Sequence, residues 1–149
     1  MKLSEILKNT GIACPEGSED LEISGISYDS RKTEKGDLFV CVKGFSTDGH
    51  KYAQAAADAG AAALLAQDPL AIDQIPVVYS EDSRRALSAV SANFFGHPSE
   101  DMLVFGVTGT NGKTTVSHLI QKLYEAFEQK CVLIGTLGYK FRSSENYHD

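Results

Sequence analysis

The sequence predicts an α/β fold, with a small mixed-sheet N-terminal domain followed by a β-loop-α-β unit. Three observations carry that prediction. Stretches with apolar residues at steps of three and four alternate with short apolar runs of strand length. The run "LFVCV", Leu38 to Val42, is continuously apolar, as expected of a strand buried on both faces. The segment "GVTGTNGKTT", residues 106–115, stands between an apolar run and a helical pattern.

Each element has its own local reason. Residues 3–9 suit a short helix with Leu3, Ile6 and Leu7 on one face. In "LEISGISYDSR", Leu21, Ile23 and Ile26 give a strand-like pattern broken at Gly25. "DSRKTEKGD" is a polar turn, and the strand Leu38–Val42 follows. "FSTDGHKY" is rich in turn formers. Asp48 is placed to cap the helix of "GHKYAQAAADAG", and Gly60 to end it. "AAALLA" then reads as a buried strand despite the weak strand preference of alanine, and "IPVVYS" as another. Ser80 or Asp82 caps "DSRRALSAVSANFFG", in which Ala86, Leu87, Val90 and Phe94 fall at helical spacing and Gly96 closes the helix.

"GHPSED" has linker composition, so the boundary is set at 98/99, giving domains 1–98 and 99–149. Beyond it the pattern predicts a strand "MLVFGV", the glycine loop, and a helix from about 113 to 128. Val116, Leu119, Ile120, Leu123, Tyr124 and Phe127 form its core-facing stripe. A strand at 131–136 follows, and the polar tail "SSENYHD" is expected to fray.

Composition narrows the function. The net charge is -6 with no basic cluster, which argues against nucleic-acid binding. The longest apolar runs fall far short of the roughly 20 residues of a membrane span. The N-terminus lacks the apolar core of a secretory signal. Cys14, Cys41 and Cys131 are three widely spaced cysteines, which fits buried thiols in a reducing cytoplasm better than a disulfide frame or zinc site. His50, His97, His118 and His148 show no metal-ligand spacing, and helix-start packing is the expected role of His50.

The glycine loop points to phosphate. A turn from strand into helix presents main-chain amides at the positive end of the helix dipole, and glycines let that backbone come close. Gly109, Thr110, Asn111 and Gly112 would form the nest. Lys113 would reach the β- and γ-phosphates, the Thr114 hydroxyl would sit on Mg²⁺, and Thr115 would donate near the α-phosphate. The spacing is G-x2-G-x2-G-K-T-T, with Val107 where the common phosphate-loop pattern has glycine. These residues imply a nucleoside triphosphate with magnesium, and leave kinase, GTPase and ligase open.

"GVTGTNGKTT" resembles the ATP signature of the Mur ligases, bacterial enzymes that join amino acids to a cell-wall precursor. Upstream, "YDSRKTEKGDLFVCVKGFSTDGHKYAQAAADAGAAALLA" is similar to the N-terminal domain of the members that add the third and fourth peptide residues. "LIGTLGY" is closer to the third-residue members. The resemblance implies that residues 99–149 begin a P-loop ATPase domain, with ATP and Mg²⁺ as cofactors and Lys113 catalytic. It implies that UDP-MurNAc-dipeptide is the partner molecule, activated as an acyl phosphate before an amine attacks. Tyr28, Ser30, Phe45, Ser46 and Thr47 would line the uridine diphosphate pocket. The Asp29–Arg31 turn has a plain structural alternative, in which Arg31 pairs with an acid. A complete member also has a carbamylated lysine, further magnesium ligands and an amino-acid-recognition motif, none with a counterpart here. The 149 residues alone are therefore expected to be inactive. A precursor-binding module without catalysis, a fourth-residue ligase, and an unrelated kinase or GTPase are the competing readings.

Overall fold

The computed structural model describes residues 1–44, 47–136 and 138–141, and the backbone of 144–146. It divides into two units, Met1–Met102 and Leu103–Asp149.

The first unit is a three-layer arrangement around a four-stranded sheet. Its elements are α1 (Leu3–Ile6), β1 (Gly25–Ser27), β2 (Asp37–Val40), a 3-10 turn (Gly49–Tyr52) running into α2 (Ala53–Asp58), β3 (Ala63–Ala66), β4 (Val77–Tyr79) and α3 (Ser83–Phe94). The strand order is β1-β2-β3-β4. All three pairings are parallel, with Ile26 opposite Leu38, Phe39 opposite Leu64, and Leu65 opposite Val78. Antiparallel pairing in this unit is confined, among the described residues, to the isolated bridges Lys2–Glu22 and Lys43–Asp48. The mixed sheet expected from the sequence is thus parallel in all of its named strands. Only the β2–β3 connection carries a helix of its own, so the other crossovers are irregular chain that the sequence pattern did not orient.

Alternation along β2 and β3 sends side chains to two separate cores. Leu38, Val40, Ala63 and Leu65 join Leu3, Ile6, Leu7, Ile23, Val78, Ala86 and Val90 on the face covered by α1 and α3. Phe39, Cys41, Leu64 and Ala66 face the other way, onto Ala53, Ala56 and Ala61. That second face explains the alanines: α2 presents Ala53 and Ala56, both buried, so its backbone lies close to the sheet. The shortness of the alanine side chain, rather than strand preference, places "ALLA" in the sheet centre.

The first residues are held by long-range bonds. Leu3 N–H donates to Leu21 O at 2.8 Å, and Ile23 N–H to Met1 O at 2.8 Å. From α3, the Asn93 side-chain amide donates to Ile6 O at 2.7 Å and Lys8 O at 2.8 Å, satisfying carbonyls at the end of α1. Gly60 ends α2 at φ 102°, as its position predicts.

In the second unit, α4 (Lys113–Ala126) is followed by β5 (Val132–Gly135), β6 (Gly138–Phe141) and β7 (Ser144–Asn146), an antiparallel sheet in that order. Three expectations are corrected here. The segment Leu103–Val107 forms no strand, because β5 takes β6 as its neighbour and no other described strand offers this segment a ladder. The expected β-loop-α-β unit is therefore loop-α-β. The α4 stripe is not a core: Val116, Leu119, Leu123 and Phe127 are exposed, and the one buried residue of the helix is Gln121, whose amide donates to Lys140 O at 3.2 Å. Periodicity reports which face is apolar, and burial needs a second layer to cover it. Tyr124 does pack edge-on against Phe105, with ring centroids 5.6 Å apart. The tail does not simply fray, since the backbone of 144–146 pairs with β6.

Of the cysteines, Cys41 is buried while Cys14 and Cys131 are half-buried. Burial pushes the Cys41 thiol up to about 12, so it stays protonated and inert at neutral pH. No helix among the described residues is long and apolar enough to cross a membrane.

The two apolar environments predict opposite mutational outcomes. Ala56→Leu overpacks the close α2 contact and should lower stability by about 1–3 kcal/mol. Leu119→Ser, on the exposed α4 face, should change it by no more than about 0.5 kcal/mol. Urea unfolding followed by circular dichroism would measure both.

Candidate functional site

Parallel pairing places the carboxyl ends of β1 to β4 along one edge of the sheet, where α/β folds hold ligands. Tyr28 and Ser30 follow β1, and Thr47 lies in the loop after the neighbouring β2. The structure thus brings these three sequence candidates to the same edge. Tyr28 and Thr47 are exposed and Ser30 is half-buried. Phe45 and Ser46 lie outside the described residues.

The turn after β1 is built around Asp29. Its carboxylate accepts from the Arg31 guanidinium at 2.7 and 2.9 Å and from Arg31 N–H at 3.1 Å. Arg31 therefore pairs with an acid. Those bonds hold the Asp29 carboxyl down to about 2. The Asp29 carbonyl accepts from Lys32 N–H at 2.9 Å and from the Thr33 hydroxyl, which also meets Ser27 Oγ at 3.2 Å. The side chain of Ser30 is carried on this closed turn.

The loop after β2 is anchored at both ends. Gly44 N–H donates to Thr47 O at 2.9 Å, and Gly49 N–H donates to Val42 O at 2.9 Å. Gly49 passes so close to the chain leaving β2 that a Cβ there would lie 2.7 Å from Val42 N and 2.8 Å from Val42 O. That contact is with backbone and cannot be relieved by a rotamer change. Asp48 caps the 3-10 turn as expected, accepting from His50 N–H at 3.0 Å.

Sequence reading missed what holds Lys43. Its N–H donates to Ser83 Oγ at 3.2 Å, its carbonyl accepts from Arg84 Nε at 3.2 Å, and its ammonium pairs with Asp68 at 2.7 Å. Asp68 holds the Lys43 ammonium above its ordinary range. Ser83 is fully buried and is also bonded to Gln67 Oε1. A signal was present: Lys43, Gln67 and Asp68 each follow the end of a parallel strand, where site residues collect.

The glycine loop of the second unit turns directly into α4. Gly109 has φ 146° and Gly112, the N-cap residue, φ 76°, which are backbone states that favour glycine. The first helical bond runs from Val116 N–H to Gly112 O at 2.9 Å, leaving the amides of Lys113, Thr114 and Thr115 without helical acceptors. The start of α3 makes a sharp contrast, because there the Asp82 carboxylate accepts from the amides of Arg84 and Arg85. The α4 start has no such side-chain cap. Its amides and dipole are available to an anion from outside the chain.

The Lys113 ammonium folds back over the loop, donating to Gly109 O and, at 3.3 Å, to Thr110 O. Among the described residues no carboxylate pairs with it. Its charge therefore sits over the loop uncompensated, with weak acceptors it can give up. Thr114 and Thr115 are exposed on the first turn, and the Thr114 carbonyl accepts from Ser117 Oγ at 3.0 Å and meets His118 Nδ1 at 2.8 Å. The donor set fits a polyphosphate, and Thr114 and Thr115 place two exposed hydroxyls on the same turn.

Two family descriptions match successive parts of the chain. Residues 22–101 match the description "Mur ligase family, catalytic domain", and residues 107–149 match "Mur ligase middle domain". A UDP-N-acetylmuramoyl-L-alanyl-D-glutamate–2,6-diaminopimelate ligase of Listeria monocytogenes serotype 4b is 42% identical over 140 residues, 94% of this chain. A protein of the same name from Syntrophomonas wolfei is 44% identical over 138 residues, 92% of the chain. The chain spans 28% of the length of each. Among solved structures, a ligase of that name superposes with TM-score 0.71 at 26% identity, covering 97% of this chain and 29% of the other. The MurF ligase of Thermotoga maritima in complex with ADP superposes with TM-score 0.54 at 28% identity, covering 72% and 24%.

Two outcomes follow from the first-unit geometry. Gly49→Ala forces its new carbon into the Val42 backbone and should destabilise the unit by about 1–3 kcal/mol, read by thermal unfolding. Asp29 titrates near 2 rather than 3.8, so its contribution is fully present above pH 3.8 and is lost as pH falls through about 2. Carbon-13 NMR of the carboxyl should show that midpoint, and Arg31→Ala should return it toward 3.8.

Proposed function

Because this chain belongs to the Mur ligase family, we propose that it is the N-terminal part of an ATP-dependent ligase. That ligase adds the third residue to UDP-MurNAc-L-Ala-D-Glu. The observation that carries the proposal is the start of α4: glycines at positive φ, three amides without helical acceptors, and an ammonium with no carboxylate partner among the described residues, all at one helix end. The names of the relatives at 42–44% identity support diaminopimelate as the incoming residue.

In this reading Gly109, Thr110, Asn111 and Gly112 present amides to the phosphates, and Lys113 exchanges its two carbonyl acceptors for phosphate oxygens. The Thr114 hydroxyl holds magnesium and Thr115 donates on the α-phosphate side. ATP, when bound, supplies the phosphoryl group that converts the precursor's free carboxylate to an acyl phosphate. Lys113 catalyses by offsetting charge on that group as it transfers, which is a positioning and electrostatic role. Tyr28, Ser30, Phe45, Ser46 and Thr47 take the uridine diphosphate end. Residues 1–98 are thus the precursor-binding domain and 99–149 the opening of the ATP-binding domain. The site of action in this reading is the cytoplasm.

The decisive experiment grafts these 149 residues onto the corresponding start of the Listeria relative. The graft should release ADP only with diaminopimelate and UDP-MurNAc-L-Ala-D-Glu together. Loss of that dependence in a folded graft would refute the proposal. The 149-residue chain alone should bind ATP without turnover. Lys113→Ala should weaken that binding roughly tenfold or more, the worth of a charge-assisted hydrogen bond, measured by titration calorimetry.

A further inference from the structure

His50 does more than begin a helix. Its side chain is nearly buried, with 9% exposure. Nε2 accepts two main-chain amides, Gln67 N–H at 3.0 Å and Asp68 N–H at 3.1 Å. An imidazole nitrogen that receives two donors carries no proton, so the ring hydrogen is on Nδ1. From there it is donated to Asp48 Oδ1 at 2.6 Å. Asp48 is held below the usual carboxylate range mainly by this bond.

The same small region closes a circuit. Asp68 gives its amide to His50 and its carboxylate to the Lys43 ammonium. Lys43 and Asp48 form the isolated bridge at the two ends of the loop after β2. Lys43, Asp48, His50 and Asp68 therefore tie both loop flanks to one fixed point, the chain leaving β3. All the ring nitrogens and carboxylates in the cluster have partners in this circuit, which makes it a clamp rather than a metal site.

We infer that His50, in its Nδ1-H form, is the positioning residue that holds Gly44 and Thr47 in register for the uridine diphosphate group. This rests on the reading of that loop as part of the nucleotide site. His50 touches no substrate in this role and acts through Asp48 and the two amides.

The test uses the 149-residue chain with UDP as probe. Nitrogen-15 NMR of the wild-type ring at pH 7.5 should show the Nδ1-H tautomer. The Nε2-H tautomer would overturn the inference without any variant. His50→Gln places an amide oxygen where Nε2 stands, so it should keep UDP affinity within about threefold and keep the Gln67 and Asp68 amides protected from hydrogen exchange. His50→Ala should lose both, with UDP affinity falling roughly tenfold and ATP affinity unchanged. Wild-type affinity in His50→Ala would refute the positioning role. If the wild type binds no UDP, the nucleotide reading of the loop fails. Exchange at Gln67 and Asp68 still decides the clamp: it is faster in His50→Ala if the inference holds, and unchanged if it does not.

Discussion

Parallel pairing of four strands is the constraint from which the first unit follows. A parallel neighbour cannot be reached by a tight turn, so the chain must cross back each time, and every strand ends on the same edge. That edge receives the turn around Asp29, the loop flanked by Lys43 and Asp48, the chain at Gln67–Asp68, and the first turn of α3. The two faces must be covered at the same time. One is served by α1 and α3 through large aliphatic side chains, the other by α2 through alanines. The edge loops are consequently mounted on strands whose inner residues are fully buried, which is the rigid support a binding site requires.

The two longest helices show how one side chain changes the use of a helix start. At α3, Asp82 supplies the anion, and the helix becomes a structural post for Ser83 and Arg84. At α4, Gly112 supplies none, and the same backbone groups face outward beside a lysine. The difference is local and chemical. It separates a helix that holds the scaffold together from one suited to take a ligand's charge.

Much of this was legible in the chain. Helix ends were readable because caps are local: Asp48 and Asp82 lie within three residues of the amides they bind. The central strands were readable because apolar runs of strand length have few other uses. The ties at the sheet edge were not readable. His50 reaches residues 17 and 18 positions away, and Lys43 reaches Ser83 across 40, spacings that no periodicity records. Tyr28 and Ser30 entered through family resemblance alone, and their own composition says only "turn". The α4 stripe misled for a different reason. Val116, Leu119, Leu123 and Phe127 are correctly apolar and correctly spaced, but a pattern in one helix cannot say what lies opposite it.

The bonds from Asn93 to Ile6 and Lys8 span 85 and more positions of the chain. Ribosomal synthesis proceeds from the N-terminus, so Ile6 emerges long before its partner exists. Leu3 finds its partner Leu21 early, but the Ile6 and Lys8 carbonyls must wait for the Asn93 amide. Leu3, Ile6 and Leu7 likewise complete their packing only when Ala86 and Val90 of the same helix join the cluster. The cover over α1 is therefore finished only once α3 has been made, which joins the two ends of this unit's chain in one layer.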